Sequence, residues 1–394
     1  MASCMLPQAS HDNRRRPWAP ASCPHPHRTA EVVASSARTG VARGSLNNYP
    51  GYPYRHRGLQ AILGPRGPVV RLFICRLFAI MAAVATGTTS LTHLRGIALT
   101  LPWLLALLIA DVALSAVLPL SLLGPRLVYD ASSRIAAVIW AWIQLIFVSL
   151  NGADIGHSGD ELPPGESAIV VANHVAWSDF YMIQALAIRA GMLGRCRYFA
   201  KVQLRLVPFL GWGLWAMGMP MVSRNWLRDR AELDRVFSGI VRDGYPTWLI
   251  SFSEATRFTK KKYAESVAWC KKNDKPQPRH LLYPRTKGFI TTVQHLRKAA
   301  HVKAVYDFTV AYRRQGGEFQ EAPSMWQTLS VPGLSSRCGY EFHVHARRFP
   351  IDSLPKTDEG LAQWLESRWV QKGEWLESAR QSWPAEGAAG SRST

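Results

Sequence analysis

The chain has 394 residues, with 47 Lys and Arg against 27 Asp and Glu, for a formal net charge of +20. Such a balance favours anionic partners, but no zinc-finger spacing, RRM signature or basic-zipper heptad is present, so nucleic acid is not the partner expected. Fifteen tryptophans beside long apolar runs fit a membrane interface instead. The six cysteines (Cys4, Cys23, Cys75, Cys196, Cys270, Cys338) lack the paired spacing of a disulfide scaffold or a zinc site, which suits a reducing compartment.

Residues 1–68 are rich in Ala, Ser, Pro, His and Arg, with Asp12 and Glu31 the only acids. Without hydrophobic periodicity they read as a disordered basic N-terminal extension. An Arg- and Ser-rich, acid-poor start also suits an organelle transit peptide, and a start codon set too far upstream is an equal alternative. Residues 69–150 read as membrane-anchoring helices. The run at 69–84 is broken by Arg71 and Arg76. That at 97–123 is long enough to cross a bilayer, for which about 20 residues suffice. It contains Pro102 and Pro119, and Asp111 near its middle, which at that depth needs a partner or a polar cavity. The run at 135–150 is short for a span, and a tilted, a re-entrant and an interfacial helix are all open. Arg126 and Arg134 lie between the two.

From 151 to 350 the pattern changes to strands alternating with helical stretches. Strands are predicted at 167–174, 197–200, 301–312 and 340–349, a strand running into a loop at 247–257, and a helix after 179. This alternation predicts an α/β domain with a partly parallel sheet flanked by helices. Residues 351–394 form an amphipathic helix, with Leu361, Trp364, Leu365, Trp369, Trp375 and Leu376 on it, and a flexible tail. That helix is expected to pack on the domain or on the membrane surface.

The stretch VANHVAWSDF, residues 171–180, ends an apolar strand in Asn173 and His174 and reaches Asp179 at the start of the helix. Five positions at about 100° each put His174 and Asp179 roughly 140° off a common helix face. They meet only if the loop folds the carboxylate back onto the imidazole. An aspartate on one ring nitrogen fixes the tautomer and leaves the other nitrogen to act as a base. A plainer reading makes Ser178 or Asp179 a helix cap and His174 a loop histidine.

Three further blocks follow in order: Gly218–Arg224 (GMPMVSR), Phe252–Arg257 (FSEATR) and LYPRTKGF at 282–289. With NHVAWSD they resemble the four motifs of the glycerolipid acyltransferases, the lysophosphatidate acyltransferase family, over roughly residues 95–380. PRTKGF followed by AVYDFTVAY is similar to the subgroup of lysocardiolipin and lysophosphatidylinositol acyltransferases, fungal enzymes among them. The resemblance implies a glycerolphosphate-acyltransferase-like α/β domain behind N-terminal membrane helices. It makes His174 the general base and Asp179 its orienting partner. It gives Arg224, Glu254, Thr256 and Arg257 to the phosphate-bearing acceptor, with Lys201, Arg285 and Lys287 as weaker candidates for phosphate or CoA. Arginine offers a planar fork of donors that suits phosphate. Glu254 cannot bind an anion directly and would position Arg224, Arg257 or a substrate hydroxyl. Two departures stand out: Ser253 replaces a proline, and Ala255 replaces a glycine where the backbone can need positive φ.

The expected partners are membrane lipids, acyl-CoA as co-substrate and a lysophospholipid or lysophosphatidate acceptor. No metal or redox cofactor is implied, and His343 and His345, two apart on a strand, lack an evident third ligand. The endoplasmic reticulum membrane is the location the resemblance implies, a mitochondrial membrane the alternative. Two other functions are open at this point. A non-catalytic lipid-binding homologue would be marked by loss of His174, and a hydrolase by a serine elbow, which is absent.

Overall fold

The computed structural model describes residues 89–207, 210–223 and 226–382. The N-terminal extension, the run at 69–84, Arg224 and the final tail lie outside the described residues.

Helix α1 (Thr89–Val117) is a leucine-rich run with Pro102 inside it, continued by a tight turn at Leu118–Leu122. Gly124 then breaks the chain. Helix α2 (Pro125–Gln144) begins on a proline, whose missing N–H costs nothing at a helix start, and runs into a wider π turn at Leu145–Leu150. The stretches Leu91–Leu122 and Pro125–Leu150 are, by length and composition, long and apolar enough to cross a membrane. The second is longer than the apolar run at 135–150 suggests, and the reason is local. Its polar first half is spent on the neighbouring domain. Asp130 pairs with Arg195 at 2.8 Å, Ser133 Oγ accepts from Arg197 at 2.7 Å, and the Tyr129 hydroxyl donates to Pro246 O at 2.7 Å.

Among the described residues, eight strands follow: β1 (Ile155–Gly159), β2 (Ser167–Ala172), β3 (Cys196–Tyr198), β4 (Ala200–Lys201), β5 (Met221–Val222), β6 (Trp248–Phe252), β7 (Val302–Arg314) and β8 (Tyr340–Pro350). Six form one sheet in the order β1-β8-β7-β2-β6-β3, parallel throughout except for the β7–β8 pair. β4 and β5 pair separately. Interleaved are α3 (Asp179–Arg189), α4 (Leu210–Ala216), α5 (Trp226–Asp243), α6 (Lys260–Lys272), α7 (Thr286–Leu296), α8 (Met325–Ser330) and α9 (Asp358–Ser382).

All six residues of β2 are buried, as a parallel strand covered on both faces requires. Val170 and Ala172 join Ile143, Phe147, Met182 and Leu186 on one face. Ile169 and Val171 join Phe237, Phe289, Val293 and Trp369 on the other. The sheet is thus the middle of three layers. Helix α9 belongs to the second core, where it buries Leu361, Leu365, Trp369 and Leu376. Each such side chain contributes about 1.5–3 kcal/mol. On α1, Arg95 donates to Asn151 Oδ1 at 2.7 Å, Ser330 O at 2.8 Å and Leu150 O at 2.9 Å. Those bonds join α1 to the end of the π turn and to α8.

Candidate active site

The parallel register of β2 and β6 sets the site. Ala172 pairs with Phe252, so the two strands end level. Asn173–His174 and Ser253–Glu254 therefore leave the sheet side by side at its carboxyl edge, where open parallel sheets present their ligands. Asn173 prolongs the ladder by one step with its side chain. Its Nδ2 donates to Val310 O at 3.0 Å, and its Oδ1 accepts from Val310 N at 2.8 Å. Its own backbone is released to turn, and His174 stands at the edge.

The loop then returns. His174 Nδ1 lies 2.7 Å from Asp179 Oδ2, and the same oxygen accepts from Val175 N at 2.7 Å and Ala176 N at 3.1 Å. Asp179 is wholly buried, whereas the His174 side chain is 13% exposed. Ser178 sits at the helix N-cap but makes no capping bond; its hydroxyl donates instead to Tyr312 at 3.0 Å. Nε2 of His174 has no partner among the described residues. Phe252 stacks on the imidazole, its ring centroid at 4.1 Å, and Phe180 meets it edge-on. Those rings fix the plane of the imidazole.

The loop after β6 is clipped to the same place, because Phe258 N donates to His174 O at 2.7 Å. Ala255 has φ +58°, the left-handed region that a glycine would occupy without strain. Arg257, exposed, lies over the Trp177 ring at 5.9 Å. Thr256 Oγ1 and Arg257 O both accept from Lys262 Nζ, at 2.5 and 3.3 Å. Arg285 N donates to Ser253 O at 2.7 Å, which brings the start of α7 to this loop with Arg285 and Lys287 exposed. Exposed Lys201 ends β4, in register with Val222 of β5. Arg224 follows β5 but lies outside the described residues.

Glu254 is placed differently from its neighbours. It is buried, accepts from Trp369 Nε1 at 3.4 Å, and lies against the backbone of His174. Burial pushes its carboxyl well above the usual carboxylate range. Its Oε2 has no partner among the described residues. Of the partners expected for it, Arg257 is not paired with it among the described residues and Arg224 lies outside them; Glu254 sits behind the loop. Next to it, Lys372 of α9 is buried with its ammonium on Asp307 and Phe308 O. Under Trp375 of α9, Ser158 Oγ of β1 bridges His343 Nε2 and His345 Nδ1 of β8 at 2.8 and 3.0 Å.

Sequence reasoning found the histidine, the aspartate and the exposed cations. It missed Asn173 as a ladder extension, Phe252 as the floor of the imidazole, and Tyr312, whose hydroxyl donates to Asp179 Oδ1 at 2.5 Å. The signal for Asn173 was its place in the NH pair.

An apolar surface adjoins these elements. On α1, Leu101, Leu104, Leu105, Leu108 and Ile109 are exposed, as are Trp212 and Trp215 of α4 and Leu206 before it, at 84%. Gly213 of α4 packs closely against Leu114 and Asp111 of α1.

Two family models match the chain: Acyltransferase over residues 155–313 and Acyltransferase C-terminus over residues 334–381. Lysocardiolipin acyltransferase 1 of Danio rerio is 30% identical over 71% of this chain and 69% of that protein. 1-Acyl-sn-glycerol-3-phosphate acyltransferase 3 of Arabidopsis thaliana is 32% identical over 55% of this chain and 54% of that one. The chain thus spans between about half and two thirds of the length of these curated relatives. The crystal structure of the 1-acyl-sn-glycerophosphate acyltransferase PlsC from Thermotoga maritima aligns with a TM-score of 0.41 and 16% identity, over 73% of this chain and 98% of that one.

Proposed function

The chain belongs to the glycerolipid acyltransferase family, and from that premise we propose that it is a membrane-bound, acyl-CoA-dependent lysophospholipid O-acyltransferase working through His174 and Asp179. The observation that carries the mechanism is the 2.7 Å contact of His174 Nδ1 with Asp179 Oδ2, with no partner on Nε2 among the described residues. Asp179 holds the Nδ1–H tautomer, so the lone pair sits on Nε2. The acceptor's glycerol hydroxyl gives its proton to Nε2 as its oxygen attacks the thioester carbon. The new C–O bond forms, the C–S bond breaks, and the imidazolium returns the proton to the CoA thiolate. Positioned general-base help of this kind gives about 10²–10⁴-fold. The step as written needs no metal or redox cofactor.

Arg257 is the first candidate for the acceptor phosphate, because its loop is tied to His174 O. Thr256, Arg224, Lys201, Arg285 and Lys287 are further candidates for the acceptor phosphate or the CoA phosphates. Glu254 acts from behind, as a support of the loop. The exposed apolar faces of α1 and α4 suit a bilayer, from which both amphiphilic substrates arrive. An endoplasmic reticulum membrane fits this reading.

The test is CoA release by the detergent-solubilised protein with oleoyl-CoA and a panel of lysophosphatidate, lysophosphatidylinositol and lysocardiolipin. Transfer to at least one acceptor is expected. Folded, lipid-binding protein that transfers to none contradicts the proposal.

A further inference from the structure

Asp179 is held from two sides. Its Oδ2 takes the donors of its own loop, and its Oδ1 takes one donor from far along the chain, the hydroxyl of Tyr312 at 2.5 Å. Tyr312 is in β7 and wholly buried. Its oxygen in turn accepts from Ser178 Oγ at 3.0 Å. Two positions earlier on β7, Val310 holds Asn173 through both of that side chain's polar atoms. One strand therefore fixes both ends of the loop that carries His174.

A plain packing role would require only the ring. It meets Phe342 edge-on at 5.9 Å, and a phenylalanine would fill the same space. The hydroxyl is what packing leaves unexplained. A buried hydroxyl takes a partner, and this one takes the carboxylate that touches the imidazole.

We propose that Tyr312 is a positioning residue of the acyl transfer, which fixes the Asp179 carboxylate and sets the basicity of the His174–Asp179 pair. The proposal rests on the general-base reading above. A hydrogen bond to Oδ1 draws charge away from Oδ2 and so weakens its hold on the imidazolium. Removing it raises the affinity of His174 for its proton. The acid limb of the pH profile then moves to higher pH, and the freed carboxylate orients the ring less well.

The experiment uses the full chain in detergent, with Tyr312→Phe beside wild type. Three readings are taken: thermal unfolding, kcat and kcat/KM against pH by CoA release, and the His174 ring titration by NMR. Tyr312→Phe is expected to fold, with kcat lowered about tenfold, as loss of one hydrogen bond to a charged group implies. KM for the acceptor stays within about twofold, because no substrate contact is lost. Both the acid limb and the ring titration move upward. Ser178→Ala, which removes the bond onto Tyr312, moves them the same way and less, and it carries the test if Tyr312→Phe does not fold. The ring titration does not depend on turnover. An upward shift in a protein that transfers no acyl group supports the coupling and places the fault in the general-base reading. A ring titration and an acid limb that stay where they are overturn the proposal and leave Tyr312 a core aromatic.

Discussion

Asp179→Asn and Asp179→Ala should part company by a wide margin, and the hydrogen bonds say why. In the asparagine variant, Oδ1 of the amide can take the place that faces Val175 N, Ala176 N and His174 Nδ1, three donors that exclude the NH₂ group. The NH₂ then faces Tyr312, whose hydroxyl turns to Ser178. Every group keeps a partner, and His174 keeps its tautomer. What is lost is the charge opposite the imidazolium. A hydrogen bond to a charged group is worth about 1.5–3 kcal/mol, so kcat falls roughly 10- to 100-fold. The alanine variant instead strands two part-buried amides and the buried Tyr312 hydroxyl. At about 1 kcal/mol for each amide and up to about 3 for the hydroxyl, the cost is about 3–5 kcal/mol. That is a large share of a typical stability of about 5–15 kcal/mol. CoA-release kinetics with thermal unfolding of both variants measures the difference. A folded Asp179→Asn protein with a loss of about 10⁴-fold, the size of a wrong-tautomer effect, or an alanine variant as stable as the asparagine one, refutes the reasoning.

Glu254→Gln should keep far more activity than Glu254→Ala, because on the proposed reading the buried side chain acts as a support of the loop. A substrate-binding carboxylate would make the two variants equally poor. Burial raises the folded-state affinity of Glu254 for its proton, so its stabilising contribution is complete below the unfolded value of about 4.3. It is lost as pH rises through the folded value. Glu254→Gln should therefore gain stability relative to wild type as pH rises above about 4.3, read from thermal unfolding at a series of pH values; a difference independent of pH would contradict this. Ala255→Gly, at φ +58°, relieves about 1–2 kcal/mol of left-handed strain against about 0.5–1 kcal/mol of added chain entropy. A small rise in melting temperature is expected, and a clear fall would show that the turn is not strained.

Much of the site could be read from the chain because its parts are local. His174 and Asp179 share one loop, and a strand end followed by a helix start leaves few ways to bring them together. Ala255 was legible for the same reason: a residue standing where a glycine is usual marks a backbone position, and the backbone there has positive φ. Glu254 was harder to place: it stands just before half-buried Thr256 and exposed Arg257 in sequence but turns inward in space, towards Trp369, a residue 115 positions away. Tyr312 left no local signal, since its bond to Asp179 spans 133 positions and exists only once β7 pairs with β2. The length of α2 was hidden by its polar first half, whose partners are Arg195, Arg197 and the loop before β6. Amphipathicity alone did not decide what α9 packs on, and it gave no hint that Lys372 would be buried against Asp307.

The central claim is that Nε2 of His174 takes the proton of the acceptor hydroxyl. It is tested most directly by CoA release from oleoyl-CoA with the best acceptor of the panel, comparing wild type with His174→Ala after both are shown folded by the same melting curve. The account predicts transfer by wild type and a loss of at least about 10²-fold in the variant, the lower bound for positioned general-base help. Transfer by the variant at close to the wild-type rate would mean that another group is the base.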